Sequence, residues 1–286
     1  MGLNGYLGIS VFCILDIRYI VDRNYWKTHT GCIQILAKKG TPMKERDILT
    51  EEEGGILRII LNRPRVRNAL TTSMMDEITS HLETRENSPA LRVVIFSGAG
   101  GSFCSGSDFR QIQPGQGVEK IRQHLKAIAD MYKALRKTSK FLIAEVHGNA
   151  LGGGLALALA CDWIIASVDA RFGLPEMKLG FLPALALVPL AHRIRERALE
   201  LMMTGEILEA GQAQALGLVS QVLREDQISS KVGDLARLLV LGDPDSSAMA
   251  KRVCRTLLSM DYEQGVDYAA SVILSRLCGE EMTGGK

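Results

Sequence analysis

The sequence predicts an α/β domain with both faces of its sheet covered, followed by a helical C-terminal third. Two observations carry this. Short, mainly apolar runs bounded by Gly, Pro and Asn alternate with segments whose apolar residues recur every three or four positions. After about residue 190 the strand-like runs fade and the helical period dominates. Runs apolar at successive positions, rather than at every second one, belong to strands buried on both sides.

Taken in order, Ile56 to Leu61 (ILRIIL) and Leu91 to Ser97 (LRVVIFS) are predicted strands, as are Phe141 to Val146 and Trp163 to Ala166. Between them, Met74, Ile78 and Leu82 mark the buried face of one helix. Ile121, Leu125, Ile128, Tyr132 and Leu135 mark that of a second, and Leu155 to Cys161 forms a short apolar third. Downstream helices are predicted at Ala198 to Met203, Ala210 to Leu216 with Gly217 as its stop, Ile228 to Leu239, Ser246 to Leu258 and Tyr262 to Leu277. Regular pattern begins only after Met43, so residues 1–49 are read as an extension, with Met43 an alternative start. The remainder divides into a core over 50–200 and a helical region over 201–286.

Composition narrows the function classes. With 286 residues and 47% apolar side chains the chain can bury a sizeable core. Thirty-four Lys and Arg against 32 Asp and Glu give no electrostatic reason to expect nucleic acid or an acidic membrane surface. The apolar stretch Tyr6 to Ile20 is broken by Asp16 and Arg18, short of the roughly 20 residues a spanning helix needs. Met1 to Gly8 has no charged side chain, unlike a secretory leader. Six scattered cysteines without CxxC spacing argue against a zinc site and a disulfide framework, and for a reducing compartment. A cytoplasmic location is expected, with mitochondrion and peroxisome left open.

The chemistry concentrates in HGNALGGGLALALACD, His147 to Asp162, and in FGLPEMKLGFLP, Phe172 to Pro183. Three glycines between a strand and an apolar helix expose backbone N–H groups where no Cβ intervenes, and the first donors of a helix lack internal acceptors. Such a turn can hold an oxyanion. Taken alone, GGG is equally a tight structural turn and Glu176 an exposed loop carboxylate. Together with RPRVRNAL (Arg63 to Leu70), GSFCSGSDF (Gly101 to Phe109) and LMMTGEILEAGQAQALGLVSQV (Leu201 to Val222), the series resembles the enoyl-CoA hydratase/isomerase, or crotonase, family over roughly residues 51 to 280.

The resemblance implies a crotonase-like spiral of strand-strand-helix repeats, a helical C-terminal oligomerisation region, and homotrimers or dimers of trimers. It implies an acyl-CoA thioester as substrate, with no separate cofactor and no metal. Its carbonyl oxygen would be held by the backbone N–H groups of Ser107 and Gly153. Val66, Arg67, Ser105, Asp108, Phe109 and Gly152 would line the substrate site, with Arg65 or Arg67 near phosphate. The chain ends at GEEMTGGK, about where relatives begin a last helix directed at coenzyme A, so part of the nucleotide contact is expected to be missing.

The reaction turns on carboxylates. Family hydratases hold a water between two glutamates, one three residues after the oxyanion glycine and one in the F-G-x-P-E motif. Here the first position is Ala156 and the second is Glu176. Hydration needs water activation and proton delivery. Moving a double bond from the 3,4 to the 2,3 position needs one carboxylate. The sequence therefore favours an enoyl-CoA isomerase with Glu176 as proton shuttle over a hydratase of low or unusual activity, or a non-catalytic acyl-CoA-binding homologue. Dienoyl-CoA isomerisation, expected to use acids at Ala156 and Ala184, is disfavoured, and PALAL (Pro183 to Leu187) should narrow the pocket beside Glu176. Glu145, His147, His124 and Asp130 are secondary candidates for entering the site.

Overall fold

The computed structural model describes residues 46–113 and 115–278. The expected N-terminal extension up to residue 45, and the terminal GEEMTGGK, lie outside the described residues. Along the chain the strands are β1 (Ile48–Glu53), β2 (Ile56–Leu61), β3 (Val93–Gly98), β4 (Phe141–Val146), β5 (Asn149–Leu151), β6 (Trp163–Ser167), β7 (Arg171–Gly173), β8 (Ile207–Glu209) and β9 (Gln221–Leu223). The helices are α1 (Thr72–Thr84), α2 (Val118–Lys137), α3 (Gly153–Leu159), α4 (Ala184–Ile194), α5 (Glu196–Thr204), α6 (Ala210–Ala215), α7 (Glu225–Leu241), α8 (Pro244–Leu257) and α9 (Tyr262–Cys278).

One sheet has six strands in the order β1-β2-β3-β4-β6-β9, parallel except for the β1–β2 pair. A second has three, β5-β7-β8, and is extended by single bridges, Cys104 to Ala150 and Leu70 to Ser107. Successive turns of chain thus put one segment in each sheet before a helix: β4, β5 and α3 form one such turn, and β3, Cys104–Ser107 and α2 another. This is the strand-strand-helix spiral. The large sheet is apolar on both faces because both are covered. Val94, Phe96, Leu142 and Ala144 face the main core with α1, α2 and α3. Val93, Ile95, Ile143 and Ile165 face Ile228, Val232 and Ala236 of α7.

Where structure and sequence pattern differ, the causes are local. β2 and β4 stand at the expected bounds, whereas β1 begins at Ile48, inside the segment read as extension. Its Glu51, Glu52 and Glu53 are exposed on a sheet edge, and an acidic edge strand has no apolar alternation to read. The strands β5, β7, β8 and β9 have three residues each, too few for a period. Helix α4 is interrupted by Pro189, which reads as a breaker. In α2 the buried stripe is His124, Ala127, Ile128, Met131, Ala134 and Leu135, while Leu125 is exposed. Alanines and a hydrogen-bonded histidine carry that face, and an apolar-periodicity reading passes over them.

The loop preceding the site is fixed by Asn68, which is fully buried with φ of +57°. Its Oδ1 accepts from the Arg63 N–H at 2.8 Å, and its Nδ2 donates to the carbonyls of Ala99 (3.0 Å) and Ser102 (2.7 Å). Asparagine tolerates the left-handed region better than most residues, and here it also ties two loops together. Asn68→Ala removes all three bonds and adds backbone strain. It is expected to cost roughly 3 kcal/mol in urea denaturation, and a loss under about 0.5 kcal/mol would contradict the assignment.

Candidate active site

Parallel pairing builds the site. Strand β5 pairs with β7 so that Leu151 lies opposite Gly173, and the Gly152 N–H donates to the Gly173 carbonyl at 2.9 Å. On the other side of β5, the Cys104 N–H donates to Asn149 and the Leu151 N–H returns to Cys104, at 2.8 and 3.0 Å. Three parallel segments therefore end side by side. The residues just beyond their ends gather at one place: Gly106–Ser107 after the first, Gly152–Gly153 after the second, and Pro175–Glu176 after the third.

Gly153 is the first residue of α3, with Gly152 (φ +53°) as its N-cap. Its N–H points forward from the helix start, where the helix dipole favours an anion. Ser107 belongs to the bridge with Leu70, in which Leu70 donates to Gly106 and Asp108 to Leu70. Neither the Ser107 nor the Gly153 N–H has an acceptor among the described residues. The two face one another: a Cβ on Gly153 would lie 3.3 Å from the Ser107 N, and one on Gly106 would lie 3.2 Å from the Gly153 N. Glycines at 106 and 153 keep the space between the donors open.

Glu176 sits in a 3-10 turn, Pro175–Leu179, directly after β7. Its carboxylate lies against the Gly152 Cα so closely that any Cβ there would collide with it. Its Oε2 is buried with no hydrogen-bond partner among the described residues. Loss of solvation raises the Glu176 pKa above its ordinary 4.5, partly offset by its own backbone N–H. Burial first of all, with the Glu176 carboxylate adding, pushes the phenol of Tyr132 in α2 up. In the sequence Tyr132 is only one apolar position of a helix.

The remaining candidates divide clearly. Ser105 and Val66 are joined by a bond from Ser105 Oγ to the Val66 carbonyl (3.3 Å), and the Ser105 N–H donates to Arg67 (2.9 Å). The RPRV loop is thereby stitched to the Ser107 segment, with Arg65 and Arg67 exposed. Asp108 is buried, and its carboxylate accepts from Arg110 at 2.6 Å and from Arg63 at 3.1 Å. These guanidinium partners, Arg110 foremost, hold its pKa down at about 2. Asp108 thus anchors the loop, and Arg63, which opens the RPRVRNAL motif but is given no role by the sequence, is its inner partner. Phe109 packs against Phe181 in a tilted pair with centroids 5.1 Å apart, so an aromatic contact links the Ser107 loop to the segment after Glu176.

The secondary candidates stay outside. Glu145 shares a sheet face with Ile143 and is bound by Arg58 and by Ser229 of α7, on the side of the sheet away from the small-sheet loops. His147 bonds the Gly100 carbonyl at 2.8 Å. Asp130 is bound to Lys126 and Lys133 on the surface of α2. His124 is fully buried, its Nδ1 2.9 Å from Thr72 Oγ1, and packs the Gln111 turn onto α1. Ala156 is buried in the main core, and Ala184 opens α4. Cys104 is enclosed beneath the site, and burial raises its thiol to about 12, which keeps it protonated and inert.

A helix N-terminus and a second bare N–H face one another with a partly desolvated carboxylate beside them, an arrangement chemically able to hold an oxyanion next to a base. The enoyl-CoA hydratase/isomerase family model matches residues 51–281, and the chain belongs to this family. A probable enoyl-CoA hydratase of Rhizobium meliloti is 29% identical, with 85% of this chain and 94% of that protein covered. The hydroxycinnamoyl-CoA hydratase-lyase of Pseudomonas fluorescens is 34% identical over 82% and 88%. Human enoyl-CoA hydratase domain-containing protein 3 superposes with a TM-score of 0.78 at 26% identity, covering 82% of this chain and 92% of that one. An enoyl-CoA hydratase subunit of Geobacillus kaustophilus gives 0.75 at 30% identity, over 82% and 90%.

The raised pKa has a stability consequence. An acid whose folded pKa lies above its unfolded one contributes stability that is full below the unfolded value and lost as pH rises through the folded value. Ionised Glu176 therefore destabilises the fold at neutral pH. Glu176→Gln is expected to melt at higher temperature than wild type at pH 7, with the gap closing below pH 4.5. A thermal-denaturation series showing equal or lower melting at pH 7 would contradict this.

Proposed function

We propose that the chain is an acyl-CoA double-bond isomerase, converting 3-enoyl to 2-enoyl thioesters with Glu176 as the single proton shuttle. The observation that carries the proposal is a half-buried carboxylate with one buried, unpartnered oxygen beside two bare N–H groups, where position 156 has a methyl instead of a second acid. Glu176 removes a proton from C2. The electron pair moves into a dienolate whose negative charge rests on the thioester oxygen, accepted by the N–H groups of Ser107 and Gly153. Protonated Glu176 returns the proton to C4, and the double bond forms between C2 and C3. Each preorganised donor is worth about 3 to 4 kcal/mol to the charged transition state, and the proton shuttle about 10²- to 10⁴-fold in rate.

Hydration is the second reading, favoured by relatives named as enoyl-CoA hydratases. With Ala156 in place, Glu176 would have to activate the water and deliver the C2 proton unaided. Coenzyme A enters as part of the substrate, with no additional cofactor, and exposed Arg65 and Arg67 suit its phosphates. Exposed Tyr262, Ile273, Leu274 and Leu277 of α9 suit a contact with further copies of the chain. Among the described residues no helix is long and apolar enough to cross a membrane.

Incubation with 3-enoyl-CoA and, separately, 2-enoyl-CoA separates the readings. Migration of the double bond, lost by about 10²-fold or more in Glu176→Gln, is expected. Hydration of the 2-enoyl thioester as the faster reaction, or unchanged isomerisation in the variant, would overturn the assignment.

A further inference from the structure

We propose that a second, positively charged cleft, between the C-terminal end of α2, the Thr138–Ser139 link and helices α8 and α9, binds a small polyphosphate anion. The cleft encloses about 720 Å³ and shares no lining residue with the surroundings of Glu176. Arg136, Lys137, Lys251, Arg252, Arg255 and Arg276 line it, against one lining carboxylate among the described residues, Asp245.

Asp245 aside, the carboxylates beneath and beside it are already engaged. Beneath the floor, Asp162 accepts from the Leu142 N–H (2.8 Å), from Lys251 Nζ (2.6 Å) and from Arg255 (3.3 Å), so one negative charge serves two cations. Glu86, behind the Thr138–Ser139 link, accepts from the Thr138 hydroxyl and the Ser139 N–H. Arg276 is paired with Asp243 at 3.3 Å. Arg136, Lys137 and Arg252 have no carboxylate within ion-pair distance among the described residues.

Like charges consequently crowd one another. Burial foremost, with Arg255 adding, lowers Lys251 to about 8, and Arg136 contributes to lowering Arg255. A bound anion relieves this repulsion. Guanidinium groups match phosphate oxygens two bonds at a time, which favours phosphate over a monovalent anion. Among the described residues no aromatic side chain lines the cleft to stack on a base, so recognition resides in the phosphate chain.

The test is calorimetric titration of the full chain with inorganic tripolyphosphate and with ADP, each with one equivalent of acetyl-CoA per chain, which fills the thioester site without leaving an excess of phosphates to compete for the cleft. The expected result is one site per chain, tripolyphosphate and ADP binding within about threefold of each other, and at least a tenfold loss for both in Arg136→Glu/Arg252→Glu. Both side chains are exposed, so enoyl-CoA turnover should be unchanged, and Arg136→Gln/Arg252→Gln should weaken binding to an intermediate degree. Absence of saturable tripolyphosphate binding, abolition of that binding by the single equivalent of acetyl-CoA, ADP binding far tighter than tripolyphosphate, or unchanged affinity in the charge-reversed variant would each overturn the proposal.

Discussion

The site depends on the register of three short parallel segments. Cys104, β5 and β7 are joined by backbone hydrogen bonds of 2.8 to 3.0 Å, which fix where Ser107, Gly153 and Glu176 emerge. Parallel strands point the same way, so the residues beyond their ends gather at one edge. A slip of one residue between β5 and β7 would move Glu176 away from Gly152 and turn alternate side chains to the wrong face. The buried Phe172, Leu174 and Ala150 hold that register from within the core.

Glycine and burial then convert register into chemistry. Gly106, Gly152 and Gly153 leave room where any Cβ would meet a donor or the carboxylate. The same closeness strips part of the solvation from Glu176, which costs stability but places a stronger base beside the bare N–H groups. Asp108, held by Arg63 and Arg110, and Asn68, bound to three backbone groups, make the Ser107 loop rigid enough for a preorganised donor. Family membership, established over residues 51–281, fits this arrangement. The absence of a carboxylate at Ala156 is what distinguishes the proposed reaction from that in the names of the relatives.

Much of this is legible in the residues. Doubly covered strands such as β3 and β4 declare themselves by continuous apolar runs, and α1 by its Met74, Ile78, Leu82 spacing. Glu176, Gly153 and Ser107 emerge from the order of the motifs along the chain. Other features leave no local signal. Three-residue strands are defined by partners far away in sequence, and the acidic β1 is a strand because β2 lies beside it. Glu145 resembles a site residue by its position in β4, yet alternation turns it toward Arg58 and Ser229. Tyr132 and Arg63 owe their roles to what the fold brings against them, and the basic cleft draws on residues more than a hundred positions apart.

The proposed reaction requires Glu176 to be a desolvated base held beside two oxyanion donors. Carbon-13 NMR titration of the glutamate carboxyls, with the Glu176 resonance assigned by its loss in Glu176→Gln, measures that state directly. A midpoint above the ordinary 4.5 is expected, and a midpoint at or below that value would contradict the assignment of Glu176 as a desolvated base.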